Sequence, residues 1–325
     1  MTTTVPTVSV IVCAYTQRRW QDLQDSVESA RAQQDTTEVV VVIDHEPELF
    51  RMAKDRWPTL TVIENAEAQG LSGARNTGVI AASSDVIAFL DDDATADADW
   101  LTWMLDSFSD PNVAGVGGFA EPVWPDAKGP ALYPDELLWI VGCSYAGLPT
   151  GSADVRNVIG CSMAFRRGAI LAAGGFSSTV GRVGNIPLGG EETELCIRIR
   201  QADPAARIVY EPLSLVHHRV SADRGTWRYL RRRSFYEGVS KAVLSRTLGR
   251  TDSLSSESSY LTGVLPKALV RELRQLGNGG GRHALAIVVT VTATVAGYAL
   301  GALSGAKASD AGSVAKQLKT AVAVR

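Results

Sequence analysis

The sequence predicts an α/β protein with a mixed, mostly parallel sheet, flanking helices and a C-terminal helical extension. Three observations lead to this class. Apolar runs rich in Val and Ile recur through the first hundred residues, a polar segment compatible with a helix follows each run, and basic helix-compatible sequence begins near residue 225. Near-continuous apolar strands that alternate with helices are typical of a parallel sheet covered on both faces.

The predicted elements follow one another regularly at first and less regularly later. Strands are predicted over residues 8–14, 38–44, 60–64 and 85–90, and helices over 20–33, 46–57 and 73–82. Next come a helix over 97–109, a Gly-rich strand over 113–119, a long loop over 121–150, a strand over 158–166, a Gly-rich loop over 181–190, a helix over 191–201 and a strand over 207–210. Ligands of such sheets bind beyond the carboxyl ends of the strands.

The C-terminal part has a different character. We predict a basic helix over 225–248, a Ser-rich linker or mobile loop over 251–260, and a second helix over 266–276 that the glycines of 277–281 interrupt. Residues 284–306 carry no charge and are long enough to cross roughly 30 Å of hydrocarbon. The sequence therefore predicts a membrane-spanning or membrane-associated helix over 283–306 and a tail over 307–325. Basic residues before it, such as Arg282, would mark that side as cytoplasmic.

Composition narrows the class of protein. A net charge of -3 argues against a nucleic-acid binder, which usually carries a basic excess. The four cysteines lie far apart and form no Cys-x-x-Cys pair, so we expect reduced thiols in a cytosolic compartment. The N-terminal residues lack the basic-then-apolar layout of a signal peptide.

Three consecutive carboxylates, Asp91, Asp92 and Asp93, follow the apolar run of residues 85–90. One interpretation is a solvated turn or a helix N-cap, which favours Asp. The other is a site at the end of a buried strand, where the first and third carboxylates face one crevice. A divalent cation would then offset their repulsion and also bind a pyrophosphate.

A second acidic motif stands at the start of the helix over 191–201. Gly189 and Gly190 precede Glu191 and Glu192, which places two carboxylates on a flexible rim. Acidic residues are favoured at a helix N-terminus by the macrodipole alone. Alternatively, one of the two would act as general base for an acceptor hydroxyl.

Two further features add candidates. His217 and His218 end a strand-like segment in a chain with only four histidines, and either one is a surface residue or a third protein ligand of the cation. Arg75, in a Gly-flanked helix start, is placed to reach a phosphate or a base.

Six segments occur in a fixed order along the chain: VSVIVCAYTQ, EVVVVIDH, GLSGARNTGV, FLDDDA, IGCSMAFRRGAI with GGF, and GGEETELCIRIR. Together they resemble the inverting family-2 glycosyltransferases, which have the GT-A fold, over about residues 6–219. The resemblance implies a catalytic domain over 1–220, with a nucleotide-sugar-binding half over about 1–95 and an acceptor-binding half over about 96–220. Residues 221–282 are then a basic helical extension with a linker.

The resemblance also implies roles for individual residues. The backbone near Ala14 and Tyr15 would border the nucleotide, Asp44 would hydrogen-bond the base, and Arg75 would lie near the base or the diphosphate. Asp91 would contact the ribose side, and Asp92 is grouped with these nucleotide-binding residues. Asp93, with His218 or His217, would bind Mn²⁺ or Mg²⁺. Glu192 matches the family's usual base, with Glu191 as the alternative.

Two departures from the family pattern affect these roles. The family commonly has Asp-Asp before Gly-Ser after the second strand, whereas this chain has Ile43, Asp44, His45 and Glu46. Glu-Glu stands in place of Glu-Asp at the base. The Gln-x-x-Arg-Trp signature of processive members is absent from the sequence, so we expect transfer of one sugar.

The expected function is therefore an inverting transfer from a nucleotide diphosphate sugar, with a UDP-sugar favoured. The acceptor would be a glycan or a lipid-linked molecule of the cell envelope, reached at the cytoplasmic face of the membrane. Two alternatives remain open at this point: a sugar-1-phosphate nucleotidyltransferase, and a catalytically silent nucleotide- or carbohydrate-binding module.

Overall fold

The computed structural model describes residues 6–126, 129–178 and 189–303. Nine strands form one mixed sheet: β1 Val8–Ala14, β2 Glu38–Ile43, β3 Thr61–Glu64, β4 Val86–Asp91, β5 Ala94–Ala96, β6 Val113–Val123, β7 Ala153–Asp154, β8 Ser162–Arg166 and β9 Arg207–Arg219. The α-helices are α1 Trp20–Arg31, α2 Pro47–Arg56, α3 Leu71–Ala81, α4 Trp100–Ser107, α5 Arg167–Ala172, α6 Glu191–Ala202, α7 Trp227–Thr247, α8 Arg250–Ser253, α9 Ser255–Ser259, α10 Leu265–Arg274 and α11 Gly280–Leu303. The predicted fold class is confirmed.

The sheet has the order β3-β2-β1-β4-β8-β6-β9-β5, and β7 pairs with β9. Strands β3, β2, β1 and β4 are parallel; the side chains of β2, β1 and β4 are mostly buried on both faces because helices cover each one, whereas β3 at the edge has two exposed residues. Their carboxyl ends lie side by side: Ala14 is in register with Ile43, and Cys13 with Asp91. This edge of the sheet is where the sequence predicted ligand binding.

Strand β9 is longer than predicted and brings the histidine pair to this edge. It runs parallel to β6 with a register shift between Gly118 and Phe119, and antiparallel to β5. Ala94 is directly opposite His218, so His218 lies next to the loop that carries the three aspartates.

Helices α7 and α11 pack closely along one another. Gly238 of α7 and Gly297 of α11 allow this approach, because a Cβ added at Gly238 would overlap the carbonyl oxygen of Thr294 and one at Gly297 would overlap that of Phe235. Close approach through small residues is a common way to pair apolar helices. The predicted extension is thus a helical layer, and its apolar side chains share a buried cluster with those of residues 132–143.

Two boundary predictions need correction. Residues 251–260 were expected to be a linker or mobile loop, but they form α8, α9 and the start of a π-helical turn, Tyr260–Val264. Ion pairs of Glu257 with Arg156 and Lys241 hold this segment, and they override its Ser-rich composition. The strand expected over 158–166 begins only at Ser162. The predicted tail over 307–325 and most of the Gly-rich loop over 181–190 lie outside the described residues.

Candidate active site

A cavity of about 880 Å³ opens beyond the carboxyl ends of β1, β2 and β4. Because several short segments converge at this edge, residues far apart in sequence line one space. Its walls include every predicted site residue except His217: Ala14, Tyr15, Asp44, Arg75, Asp91, Asp92, Asp93, Glu191, Glu192 and His218.

Asp91, Asp93 and His218 form a compact group. Each offers one ligand atom, and the three atoms lie within 4.8 Å of one another. His217 is not part of this group: neighbouring residues of a strand point to opposite faces, and its Nδ1 lies 2.9 Å from Glu121. Two carboxylates and one imidazole are a donor set that suits Mn²⁺ or Mg²⁺.

The charges in this group influence one another strongly. Burial raises the pKa of the Asp91 and Asp92 carboxyls. Burial acts on Asp93 in the same direction, but the nearby His218, Arg19 and Arg224 outweigh it and hold the pKa of Asp93 well below its usual range. Burial would lower the pKa of His218, yet the Asp93 carboxylate raises it to about 10. Without a cation, His218 and Asp93 are therefore an ion pair, and binding a metal must release the proton of His218.

Arg19 is a residue that the sequence analysis missed. Its guanidinium lies 2.5 Å from an oxygen of Asp93 and 3.0 Å from one of Asp92, and it stacks 4.9 Å above the Tyr15 ring. Arg224 approaches the same oxygen of Asp93 to 3.7 Å. Nothing in the local sequence marks Arg19, because its partners are more than seventy positions away. These cations partly neutralise the aspartates.

Arg75 connects the two acidic motifs. Its buried guanidinium lies 3.3 Å from Asp91 and 3.1 Å from Glu191, and it donates to the carbonyl oxygen of Gly160 at 3.0 Å. A buried cation requires such partners. Arg75 therefore fixes the loop of the three aspartates relative to the start of α6.

Glu192 differs from Glu191 in its surroundings. Both line the cavity, but Glu191 is buried and paired with Arg75, whereas Glu192 is half-buried. Burial and then the negative charge of Glu191 raise the pKa of Glu192 to about 8. A carboxylate with a pKa close to neutral is suited to accept a proton.

Asp44 lines the opposite end of the cavity. It accepts hydrogen bonds from the Asn65 side chain at 2.6 Å and from the backbone N–H of Gly70 at 2.9 Å. These bonds hold the carboxylate at the end of β2. Tyr15, whose side chain is half exposed, lies at the same end, so a ring and a carboxylate face the space that the sequence analysis assigned to a nucleotide.

The sequence model described as Glycosyl transferase family 2 matches residues 9–171. A glucosyl-dolichyl phosphate glucuronosyltransferase of Haloferax volcanii is 31% identical over 306 residues, covering 91% of this chain and 96% of that protein. A pre-mycofactocin glycosyltransferase of Mycobacterium tuberculosis is 30% identical over 237 residues, which cover 72% of this chain and 46% of that protein.

Two solved structures share the fold. A mannosyltransferase from Pyrobaculum calidifontis in complex with GDP-Man and Mn²⁺ has a TM-score of 0.56 at 18% identity, over 90% of this chain and 87% of that one. GalNAc-T7 with UDP, GalNAc and Mn²⁺ has a TM-score of 0.54 at 15% identity, over 81% of this chain and 57% of that one. At these identities the likeness shows the GT-A fold alone.

Proposed function

Because the chain belongs to glycosyl transferase family 2, we propose that it transfers one sugar from a nucleotide diphosphate sugar to a hydroxyl of a lipid-linked or glycan acceptor, with inversion at the anomeric carbon. A UDP-sugar is the favoured donor. One observation supports the proposal most strongly: the candidate metal ligands and the candidate base line the same cavity, and Arg75 ties Asp91 to Glu191, the residue next to that base.

The proposed reaction is a single displacement. The acceptor oxygen attacks the anomeric carbon from the face opposite the leaving group, and the bond between that carbon and the diphosphate oxygen breaks. Glu192 accepts the proton of the acceptor hydroxyl, and the nucleoside diphosphate leaves with the electron pair. Glu191 is already paired with Arg75, which favours Glu192 as the base.

The leaving group gains negative charge as the bond breaks. Asp91, Asp93 and His218 would hold Mn²⁺ or Mg²⁺, which when bound supplies electrostatic stabilisation of the diphosphate. Arg75 positions Asp91 in this arrangement. Arg19 and Arg224, at the same carboxylates, would add positive charge close to the phosphates.

The acceptor class and the location rest on the Haloferax relative and on the C-terminal helices. Among the described residues one helix, Gly280–Leu303, is long and apolar enough to cross a membrane by length and composition. It lies along α7, whose Arg228 and Arg231 are exposed, and this favours association with a membrane surface over a span. We place the catalytic domain on the cytoplasmic face, as the basic extension indicates.

Calorimetric titration of UDP, GDP and dTDP into the full chain, with Mn²⁺ and with chelator, tests the donor site. We expect one nucleotide to bind in a manganese-dependent manner, and Asp93→Asn to abolish that dependence. Asp97→Asn is a control at a nearby carboxyl outside the cavity lining. Transfer of labelled sugar to a membrane lipid extract, with analysis of the anomeric product, tests the reaction. A retained anomeric configuration would contradict a single displacement.

A further inference from the structure

The cavity does not end at Glu192. It continues between α7, the turn Tyr260–Val264 and α11, where no residue takes part in the chemistry proposed above. The lining of this helical end comprises Trp139, Tyr145, Arg156, Arg233, Glu237, Lys241, Glu257, Tyr260, Leu261, Leu265, Thr290, Val291, Thr294 and Val295.

A network of charged side chains lies at its inner part. Arg233 donates to Glu237 at 2.7 Å, Lys241 lies 3.4 Å from Glu237 and 2.5 Å from Glu257, and Arg156 pairs with Glu257. The side chains are between 8% and 23% exposed. Three cations pair with two carboxylates among the described residues that line the helical end, and the third acidic group acting on Arg233 is Glu192, whose raised pKa favours its protonated, neutral form. A largely buried excess charge favours an anionic ligand.

The excess charge lies beside the candidate base. A Cβ added at Gly189 would lie 3.1 Å from the Arg233 guanidinium, Gly189 stands three positions before Glu192, and the Glu192 carboxyl acts electrostatically on Arg233. Arg233 also lies 5.9 Å from the Trp139 ring, which limits how it can move. An anion bound here would therefore be close to the acceptor hydroxyl and away from Asp44 and the nucleotide end.

The outer part of the helical end is apolar. Leu261, Leu265, Val291 and Val295 line it, and Leu261 and Val295 are 46% and 60% exposed, so apolar side chains form the opening. Val295 also belongs to a row of exposed side chains along α11. A cavity with cations inside and an apolar opening is complementary to an amphiphile with an anionic head.

We propose that the helical end binds the acceptor as a lipid phosphate, with the phosphate at Arg233, Lys241 and Arg156 and the hydrocarbon chain leaving past Leu261 and Val295. This inference rests on the proposed transfer to a lipid-linked acceptor and specifies its recognition. The phosphate belongs to the lipid that carries the acceptor hydroxyl. It is distinct from the diphosphate of the donor, which lies at the aspartates.

Binding of dodecyl phosphate to the full chain in detergent tests the inference, with dodecanol and inorganic phosphate as separate arms. We expect dodecyl phosphate to bind at least roughly tenfold more tightly than either, because head and chain both contribute. Equal binding of dodecanol would show an apolar groove without phosphate recognition. Equal binding of inorganic phosphate would show an anion site without a lipid, and either result overturns the proposal.

Two variants of α7 with a matched control locate the site. Arg233→Gln should weaken binding of dodecyl phosphate about tenfold or more, since a hydrogen bond to a charged group is lost. Glu237→Gln should tighten it, since a competing carboxylate is removed. Arg231→Gln, an exposed arginine on the same helix, should leave it unchanged. Should Arg233→Gln fail to fold, the opposite shift in Glu237→Gln still decides the matter, and no change in Glu237→Gln would count against the site.

Manganese-dependent nucleotide binding separates the two proposals. Arg233→Gln should retain nucleotide affinity, because Arg233 is not at the donor end. Nucleotide binding without any binding of dodecyl phosphate would reject this inference and leave the transfer reaction standing. Binding of dodecyl phosphate by a chain that binds no nucleotide would reject the proposed function instead.

Discussion

The cavity has a donor end, lined by Ala14, Tyr15, Asp44 and the three aspartates, and the helical end described above. The two ends are built by different means. At the donor end, Ala14, Asp44 and Asp91 stand where parallel strands stop, so the backbone of the sheet places them. At the helical end, side chains hold one another: Arg156 pairs with Glu257, 101 positions away. Because the backbone of the sheet places the residues of the donor end, we expect them to keep their positions when a neighbouring side chain is lost. The helical end depends on ion pairs and close helix contacts, so we expect such a loss to disturb it.

The largest expected effect is at the junction of the two ends. Glu192→Gln should lower kcat by about 10² to 10⁴, the usual contribution of a general base, with nucleotide binding unchanged. Steady-state kinetics and calorimetry on the same preparation measure the two quantities. Glu191→Gln is the matched comparison: it should act mainly by loosening Arg75, with a smaller loss of kcat and a lower unfolding midpoint. The reverse ranking would assign the base to Glu191.

The pH dependence of the reaction follows from the same residue. Glu192 must be ionised to accept a proton, and its pKa is raised to about 8, so the ionised fraction falls as the pH drops below that value. We expect kcat/KM to decrease about tenfold per pH unit below the pKa. A profile measured between pH 5.5 and 9 under constant ionic strength tests this. A profile that stays flat from pH 9 down to pH 6 would show that Glu192 is not the group that accepts the proton.

The helix pair offers a test of the contrast between the two ends. Gly297→Ala should destabilise the chain by about 1–3 kcal/mol, because its Cβ would overlap the backbone of Phe235. Gly263→Ala, where a Cβ meets nothing within 4 Å, serves as the control. Urea unfolding gives the stability. Nucleotide affinity should survive in folded Gly297→Ala, and its loss would mean that the donor end depends on the helices.

The smallest expected effect concerns Arg19, whose guanidinium contacts the aspartates. Arg19 contacts Asp92 and Asp93, so it competes with a metal for the Asp93 carboxylate. Arg19→Gln should therefore raise Mn²⁺ affinity in the absence of nucleotide by about threefold to tenfold, the order expected for one partly screened charge. Arg18→Gln, an exposed neighbour, should not. Weaker Mn²⁺ binding in Arg19→Gln would show that Arg19 orders the ligands instead.

More of the donor end than of the helical end could be predicted from the sequence. The parallel strands were predicted because β1, β2 and β4 are uninterrupted apolar runs, and the aspartates follow one of them directly. The positions of Glu192 and His218 beside those aspartates depended on family resemblance, since α6 and β9 reach the site from far along the chain. The choice between Glu191 and Glu192 as candidate base depended on the contact of Glu191 with Arg75, and local sequence does not reveal that contact.

The helical end could not be predicted from sequence, because composition does not determine the surroundings of its segments. The Ser-rich residues after α7 have the composition of a loop, yet Glu257 and Tyr260 tie them to the catalytic domain. The apolar residues of α11 fit equally well in a bilayer or against α7, and composition alone does not distinguish these surroundings. In the structure α11 packs along α7, and Gly238 and Gly297 allow their backbones to approach closely.

Helix α7 has one side toward the cavity and another toward α11. Arg233, Glu237 and Lys241 follow one another at four-residue intervals on the first, whereas Gly238 serves the second. Since each residue turns an α-helix by about 100°, inserting or deleting one position between Arg233 and Gly238 would disconnect the two sides. Substitutions can therefore alter the cavity-facing side chains of α7 without disturbing its contact with α11, whereas a change of one residue in length between Arg233 and Gly238 would alter both sides at once.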